Sequence, residues 1–503
     1  MLRFPVLAPG RRHLAPVSPR PHLRHVRRRA YACFGTCLGL ALACCSHESA
    51  DRDTSRPSPT AGSPSLPGAS GGNGWNGTGG SGTGGSGEGW TGSLPLAGEP
   101  CVGYTLLGIP ENDAGADFQA MLIDMDGNTV HRWAITGFPP RMLPGGSLIG
   151  CTGVTMGSYD CRTMQQVTWD GDLEWSFSGW VTTSGGTPSA RHHHDFQRAG
   201  NPVGYYAPGQ DFSMQGTTLV LAHLEKRVPA IRADAIDDDV IYEVDWHGNL
   251  TGYEWHAADH ADEIGFDEAA REDLRTRAPG RLLEWLHGNS ISRVGPNRWY
   301  AAGHHAFHPD NIIYSSRQAN FVAIISHATG EIVWRIGPDF AGRPEEGLGQ
   351  FVGQHSPHLI PEGLPGAGNM LVFDNGGGSG YGIVHADRYT RGYSRVLEFN
   401  PITFEIVWEY GAETGEEFFY SRFISNAQRL PNGNTLITIG QETRVIEVTS
   451  AKVVVWEYEY TPVSSGGHAD WLYRSYRIPP EWLPSGHNEG LHDYTAWSEL
   501  FEG

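Results

Sequence analysis

The sequence predicts an all-β protein, a six-bladed β-propeller with inserted loops, preceded by a signal segment and a disordered linker. A β-hairpin unit recurs six times: an apolar strand, a polar turn often containing Gly, and a second apolar strand ending in Trp. The chain has 67 Gly and 33 Pro, which indicates many turns and hence many short strands. Its 16 Trp exclude disorder for most of the 503 residues. An all-β sandwich is the alternative, but six similar units favour a propeller. The repeated residues are Trp133, Trp175, Trp255, Trp334, Trp408 and Trp456.

Residues 1–45 are predicted to form an export signal. The first 50 residues hold eight Arg and one acidic residue, and an apolar stretch runs from Tyr31 to Cys44. The sequence Leu42-Ala-Cys-Cys45 resembles a bacterial lipoprotein cleavage site, with Cys45 or Cys44 as the lipidated residue, and an ordinary cleaved signal peptide is the alternative. We therefore expect an exported protein, in the periplasm or at the outer membrane or cell surface. Any membrane attachment is expected only through a lipid anchor, because no apolar run reaches the roughly 18 residues of a spanning helix.

The rest of the chain divides into three parts. Residues 46–100 are rich in Gly, Ser and Pro and are predicted to be a disordered tether. Residues 101–461 hold the propeller, and residues 462–503 form an aromatic extension expected to pack on it. The strand Tyr104–Ile109 precedes the first hairpin and is expected to complete the last blade. The insertion Glu263–Leu274 has helical apolar spacing.

Charge and cysteine content limit the partners. The formal net charge of −20 argues against a nucleic-acid partner, which would require a basic face. No metal and no cofactor are expected, and the oligomeric state is left open. Cys151 and Cys161 flank a short loop and are predicted to form a disulfide, although Cys101 could compete for either partner.

Histidines gather between the hairpins, where propeller loops reach the central channel and its mouth. His193 and His194 lie in a run of three that could be surface polar residues or supply two metal ligands, although the spacing fits no standard zinc signature. His287 and His355 each lie beside the start of a predicted strand and are expected to converge. Arg317 and Arg395 have a fork suited to sulfate, phosphate or carboxylate, and for Arg395 a salt bridge within a blade is equally consistent.

These segments together resemble the arylsulfotransferase family. The similarity covers about residues 104–460 and rests on eight segments: His193–Phe196, His287–Ile291, Ser315–Ile324, Gly330–Gly337, Gln354-His355, Phe373–Gly376, Tyr393–Glu398 and Leu430–Leu436. The resemblance implies a six-bladed propeller that moves a sulfuryl group from an aryl sulfate ester to a phenol through a sulfohistidine, without a nucleotide donor. It implies catalytic roles for His287, His355 and Arg317. It also implies substrate contacts from His193, His194, Asn289, Asn375 and Arg395.

One stretch departs from the family pattern. The resemblance places a nucleophilic His just before the last blade, but Phe418–Arg429 contains none. The nucleophile is then expected to be His287, His355, or one of the pair His193 and His194. The alternative is a non-catalytic propeller of the cell envelope that binds an anionic aromatic ligand or a protein partner.

Overall fold

The structure is a computed structural model that describes residues 98–109, 120–154, 160–182, 186–210, 212–382, 390–411, 418–461, 471–487 and 496–501. The predicted signal segment with Cys44 and Cys45, and nearly all of the predicted linker, lie outside the described residues. Strands make up most of the regular structure, and helices are few and short. Within the part of the chain that is described, no helix is long and apolar enough to cross a membrane.

The strands follow one another along the chain as antiparallel ladders. In the first half they are β1 (Tyr104–Gly108), β2 (Ala120–Ile123), β3 (Thr129–Trp133), β4 (Thr136–Met142), β5 (Leu148–Val154), β6 (Cys161–Val167), β7 (Leu173–Phe177), β8 (Val181–Thr182), β9 (Pro188–Ser189), β10 (His192–Arg198), β11 (Thr218–Lys226), β12 (Ile236–Val244) and β13 (Leu250–His256). In the second half they are β14 (Leu283–Glu284), β15 (Gly288–Arg293), β16 (Ile312–Ser316), β17 (Phe321–Ile325), β18 (Ile332–Ile336), β19 (His355–Leu359), β20 (Met370–Asp374), β21 (Arg395–Phe399), β22 (Ile406–Tyr410), β23 (Asn426–Arg429), β24 (Thr435–Ile439), β25 (Arg444–Val448), β26 (Val454–Glu459) and β27 (Ser475–Ile478).

The described helices are short connectors. The α-helices are α1 (Ala261–Ile264), α2 (Glu268–Thr276) and α3 (Arg298–Ala301), and the first two confirm helix in the insertion at 263–274. The 3-10 helices are Ala257–His260, His305–Phe307, Pro344–Leu348, Gly440–Glu442, Pro480–Trp482 and Ser498–Phe501.

The propeller prediction is confirmed, but the sheets do not form six separate blades. Four sheets are separate and four-stranded, in the orders β27-β1-β2-β3, β15-β16-β17-β18, β19-β20-β21-β22 and β23-β24-β25-β26. The ladders β4–β7 and β10–β13 are joined, with β14, into one nine-stranded sheet. The junction is a single residue pair, His192 with Cys161. It forms because β6 and β10 have seven residues each, against five in most strands of the later sheets, so their ends reach each other.

The ring closes differently from the expectation. The strand predicted to complete the last blade is β1, and it pairs with β2 and β27 in the first sheet instead. The closing strand is β27, which lies in the segment predicted to be an extension. A strand late in the chain therefore joins the first sheet, which is the usual way for a propeller to avoid free edges between its ends.

Acidic turns and terminal tryptophans explain why the hairpins recur. In the first hairpin the Asp124 carboxylate accepts hydrogen bonds from the backbone of Asp126 and Asn128, and Gly127 takes the left-handed conformation that the turn needs (φ 79°). Four of the tryptophans donate their indole N–H to a backbone carbonyl in the hairpin turn of the following sheet. These pairs are Trp255 with Gly330, Trp334 with Pro401, Trp408 with Ser450 and Trp456 with Met125. The last pair joins the final sheet to the first.

Charged side chains fill the centre of the ring. Asp195 accepts from Arg141 at 2.6 Å and from Arg474 at 3.0 Å, and all three side chains are buried. The cavity beside them measures about 10 Å³, room for at most one water molecule. A substrate therefore has no path along the axis at this depth in the structure.

His358 lies beside this ionic cluster and should make the protein acid-sensitive. Its Nδ1 donates to the Ser356 carbonyl and its Nε2 accepts from Tyr205, so the ring is neutral, and burial lowers its pKa to about 4. Because the unfolded chain binds a proton near pH 6.5 and the folded chain does not, stability is lost as pH falls from about 6.5 to about 4. We expect His358→Gln to reduce the loss between pH 7 and pH 5 by about 2 kcal/mol, measured by urea unfolding. His305→Gln, on an exposed 3-10 helix, is the control; an unchanged pH profile in His358→Gln would contradict the prediction.

Candidate active site

Three neighbouring strands bring two histidines and one aspartate together in the interior. His223 on β11 is directly opposite Asp239 on β12, and His193 lies on the adjacent strand β10. All three are at most 1% exposed. The rings of His193 and His223 stack with centroids 3.5 Å apart. His193 Nε2 lies 3.2 Å from Asp239 Oδ1, and His223 Nε2 lies 3.7 Å from the same oxygen.

An irregularity in β10 turns consecutive histidines toward the interior. The pairing of β10 with β11 shifts register between His192 and Phe196, and His194 has φ 56°. A regular strand would alternate these side chains between its two faces. Here both rings are buried, and His193 Nδ1 lies 2.9 Å from His194 Nδ1. Burial holds the pKa of both histidines below the ordinary value.

A network of carboxylates surrounds His223. Its Nδ1 donates to Asp160 Oδ1 at 2.7 Å, and its Nε2 lies 3.2 Å from Glu284 Oε1. Burial opposes protonation, but these two carboxylates outweigh it and raise the pKa of His223 well above its ordinary value. Arg191 bridges Asp160 and Asp237 at 2.8 and 2.9 Å. Four acidic side chains thus share one arginine.

His287 lies at the accessible edge of this network. Its Nδ1 is 2.7 Å from Glu284 Oε1, its ring centroid is 4.5 Å from that of His194, and its side chain is 22% exposed. The residue adopts φ 53° between the short strand β14 and β15, a left-handed conformation that turns the chain here. With Nδ1 directed at a carboxylate, Nε2 is the nitrogen available to a ligand.

Arg317 adjoins His287 through the backbone. The amide of Arg317 donates to the His287 carbonyl at 3.1 Å. Its half-buried guanidinium lies 3.5 Å from the Gly378 carbonyl. Its charge also acts on His355: burial first, and then Arg317, hold the pKa of His355 well below the ordinary value. The structure therefore brings His287, Arg317 and His355 into one neighbourhood.

His355 itself has both ring nitrogens occupied. Nδ1 donates to Asn375 Oδ1 at 2.7 Å and to the Gly353 carbonyl at 2.9 Å, and Nε2 accepts from the Ile424 amide at 3.2 Å. The residue is 1% exposed. These contacts define a neutral imidazole whose one lone pair is already used, an arrangement that holds β19 against the stretch Phe418–Arg429.

The other predicted substrate residues hold neighbouring sheets together. Asn289 donates to the Gln354 carbonyl at 2.6 Å. Asn375 donates to the carbonyls of Ser421 and Ile424 at 2.7 and 2.8 Å. Arg395 pairs with Asp374 at 2.9 Å and with Glu409 at 3.2 Å, the salt bridge within a blade that the sequence left open. His193 and His194 belong to the buried cluster described above.

The cysteines behave as the spacing suggests. Cys151 and Cys161 form a disulfide, with Cα atoms 5.8 Å apart, and Cys101 is a buried free thiol. Burial raises the pKa of the Cys101 thiol, which makes it unreactive.

The sequence reading missed His223, Asp239, Glu284 and Arg474. Asp237, Asp238 and Asp239 are three consecutive acids within a strand that is otherwise apolar and buried, which is a signal that could have been used. His223 likewise interrupts an apolar strand. What sequence patterns could not supply is the register that places these two residues opposite each other.

Comparison with known proteins gives one family and a set of propeller-like structures. A family model described as Arylsulfotransferase (ASST) matches residues 210–465, just over half of the chain. None of the curated proteins matches the sequence.

Three of the similar solved structures differ in description. A protein of unknown function from Bacteroides caccae is 12% identical, with TM-score 0.41, covering 75% of this chain and 99% of that one. Virginiamycin B lyase from Staphylococcus aureus is 11% identical, with TM-score 0.31, covering 73% and 87%. The β-propeller domain of Cps50 (Swd1) from Myceliophteria thermophila is 8% identical, with TM-score 0.33, covering 69% and 81%.

Proposed function

The chain belongs to the arylsulfotransferase (ASST) family, and from this premise we propose that it transfers a sulfuryl group from an aryl sulfate ester to a phenol, with His287 as the nucleophile. The observation that carries the proposal is the pairing of His287 Nδ1 with Glu284 Oε1 at 2.7 Å in a side chain that is partly exposed. Among the candidates from the sequence, His355 has no free lone pair, and His193 and His194 are buried.

The chemistry follows from this pairing. The lone pair of His287 Nε2 attacks sulfur, the bond between sulfur and the aryl oxygen breaks, and the aryl oxide leaves with the electron pair. The resulting sulfo-imidazolium keeps its Nδ1 proton beside the Glu284 carboxylate, which offsets the positive charge. The phenol then attacks the same sulfur after losing its proton to solvent, the N–S bond breaks, and its electron pair returns to Nε2.

Arg317 suits the anionic part of the substrate. A guanidinium has several donors arranged in a plane, which fits the oxygens of a sulfuryl group, and it stays charged throughout the reaction. The fixed charge stabilises the negative charge that develops on the departing aryl oxide. The axis is closed by Arg141, Asp195 and Arg474, so we place the substrate at the accessible edge where His287 lies.

A turnover assay tests the proposal. The protein is incubated with a chromogenic aryl sulfate, with and without a phenol acceptor. We expect release of the aryl product to depend on the acceptor, and without acceptor we expect an increase in intact mass of one sulfuryl group on the peptide that contains His287. Binding of the aryl sulfate without release or adduct would favour the non-catalytic alternative.

Two finer points of organisation belong to the same proposal. We count the nine-stranded sheet as two blades, which makes six, because its ladders β4–β7 and β10–β13 share only the pair His192 and Cys161. An experimental structure in which a second residue pair links β6 and β10 would argue against this count. We also place the protein in the cell envelope, possessing an anchor at Cys44 or Cys45 or a cleaved signal; cell fractionation that recovers it unprocessed in the cytosol would refute this.

A further inference from the structure

We propose that His193, His223 and Asp239 bind a divalent first-row transition metal ion, of the class represented by Zn²⁺. The inference goes beyond sulfuryl transfer and does not depend on it. It revises the expectation from the sequence that no metal is bound. It assigns a function to one of the two readings of the His192–His194 run, in which some of these residues are ligands.

The three ligand atoms have the spacing of a metal site. His193 Nε2, His223 Nε2 and Asp239 Oδ1 all lie within 4.8 Å of one another, and the two distances to the oxygen are 3.2 and 3.7 Å. Metal–ligand bonds of about 2.0–2.2 Å place ligand atoms about 3.0–3.5 Å apart in tetrahedral or octahedral geometry. Two imidazoles and one carboxylate are a ligand set that zinc and related ions accept.

These atoms are buried without hydrogen bonds. His193 Nε2, His223 Nε2 and Asp239 Oδ1 are all inaccessible to solvent and have no hydrogen-bond partner of acceptable geometry. An unsatisfied buried polar atom costs about 1–3 kcal/mol, so three that converge on one point require a common explanation. A cation that accepts all three lone pairs supplies it.

The opposite side of each ligand is held in place. His223 Nδ1 donates to Asp160 at 2.7 Å, and His193 Nδ1 contacts His194 Nδ1 at 2.9 Å. The second oxygen of Asp239 accepts from the Gly288 amide at 2.8 Å and from the Tyr314 hydroxyl at 2.7 Å. Metal-binding histidines commonly donate their other N–H to a carboxylate or similar group, which directs the free lone pair at the ion.

Charge also favours a cation. Asp160, Asp237, Asp239 and Glu284 surround the site, whereas Arg191 is the cation paired with the first two. Buried carboxylates are normally paired or bound to a metal, and a divalent ion would balance the excess. Glu284 Oε1, 3.2 Å from His223 Nε2, is near enough to contribute a fourth contact. The stacked imidazoles would rotate apart slightly to direct both lone pairs at the ion.

Zinc stoichiometry of the full-length protein tests the proposal. The chain is purified in chelator, dialysed against Zn²⁺, freed of excess, and analysed by mass spectrometry of the elements. We expect one Zn²⁺ per chain and a rise in Tm on zinc addition. We expect Zn²⁺ to bind about 100-fold more weakly, or not at all, to His223→Gln and His193→Gln.

His192→Gln is the matched control, since His192 is buried on the same strand but directs Nδ1 to the Leu221 carbonyl. It should retain one Zn²⁺. The exposed residues His304, His305 and His308 are replaced in all proteins to remove adventitious binding. Asp160→Asn should weaken zinc binding about 10–100-fold, because it loosens the orientation of His223.

A readout on the parent protein keeps the test independent of variant folding. Co²⁺ bound by two imidazoles and a carboxylate gives visible absorption bands that zinc displaces. A parent protein that binds less than a tenth of an equivalent of Zn²⁺ and shows no such bands would overturn the proposal. So would a folded His223→Gln variant with the same zinc affinity as His192→Gln.

Discussion

His287→Gly is expected to lower the rate of sulfuryl transfer by about 10⁴-fold or more, since loss of a nucleophile costs more than the 10²–10⁴ of a general acid or base. Glycine is the replacement of choice because His287 has φ 53°, which glycine adopts without strain. The measurement is acceptor-dependent release from a chromogenic aryl sulfate. The mass adduct should vanish as well, and added imidazole should restore part of the turnover by occupying the vacated volume.

Two companion variants sharpen this prediction. His355→Asn keeps a donor for Asn375, and because the lone pair of His355 is already used, the folded variant should retain turnover within about tenfold. Glu284→Gln keeps the shape but removes the charge beside Nδ1, and should cost about 10²-fold. If His355→Asn were as inactive as His287→Gly while remaining folded, the nucleophile would have to be reassigned.

Asp195→Ala is expected to lower the free energy of unfolding by about 3–5 kcal/mol, the usual cost of removing one partner from a buried ion pair. Asp195 accepts from Arg141 and Arg474 and from the amides of Phe196 and Ile291. Its loss leaves two buried guanidinium groups without their shared anion. Urea unfolding measures the change at constant pH.

The control for this variant is an ion pair at the surface. Glu268 pairs with Arg275 on the exposed face of α2, where solvent and salt screen the charges. Glu268→Ala should leave the unfolding midpoint unchanged. A stable Asp195→Ala variant with the parental midpoint would show that the central ionic cluster does not support the ring.

Local patterns predicted the hairpins because a hairpin is a local structure. The terminal Trp was read as a surface for packing on the next unit, and the indole of Trp334 does reach the following turn at Pro401. The closing strand was missed because Ser475–Ile478 belongs to no Trp hairpin, and its partner β1 lies more than 360 residues away. No periodicity in the chain records a pairing at that separation.

The site was predicted only in part for the same reason. His287 and Arg317 were found because a family motif surrounds each of them. Their neighbours His223 and Glu284 carry no motif, and only the register of β11 with β12 and the parallel pairing of β14 bring them close. His355 was found but is held by hydrogen bonds that sequence cannot reveal.

The closing strand also bears on how the protein is made. Ribosomes release the chain from its N-terminus, and β1 emerges about 370 residues before its partner β27. During that interval the edge of the first sheet lacks its innermost strand, and the indole of Trp456 has not yet reached Met125. The final ring must therefore assemble after synthesis, and a nascent chain stays open long enough for a partner that recognises unpaired strands to delay its folding.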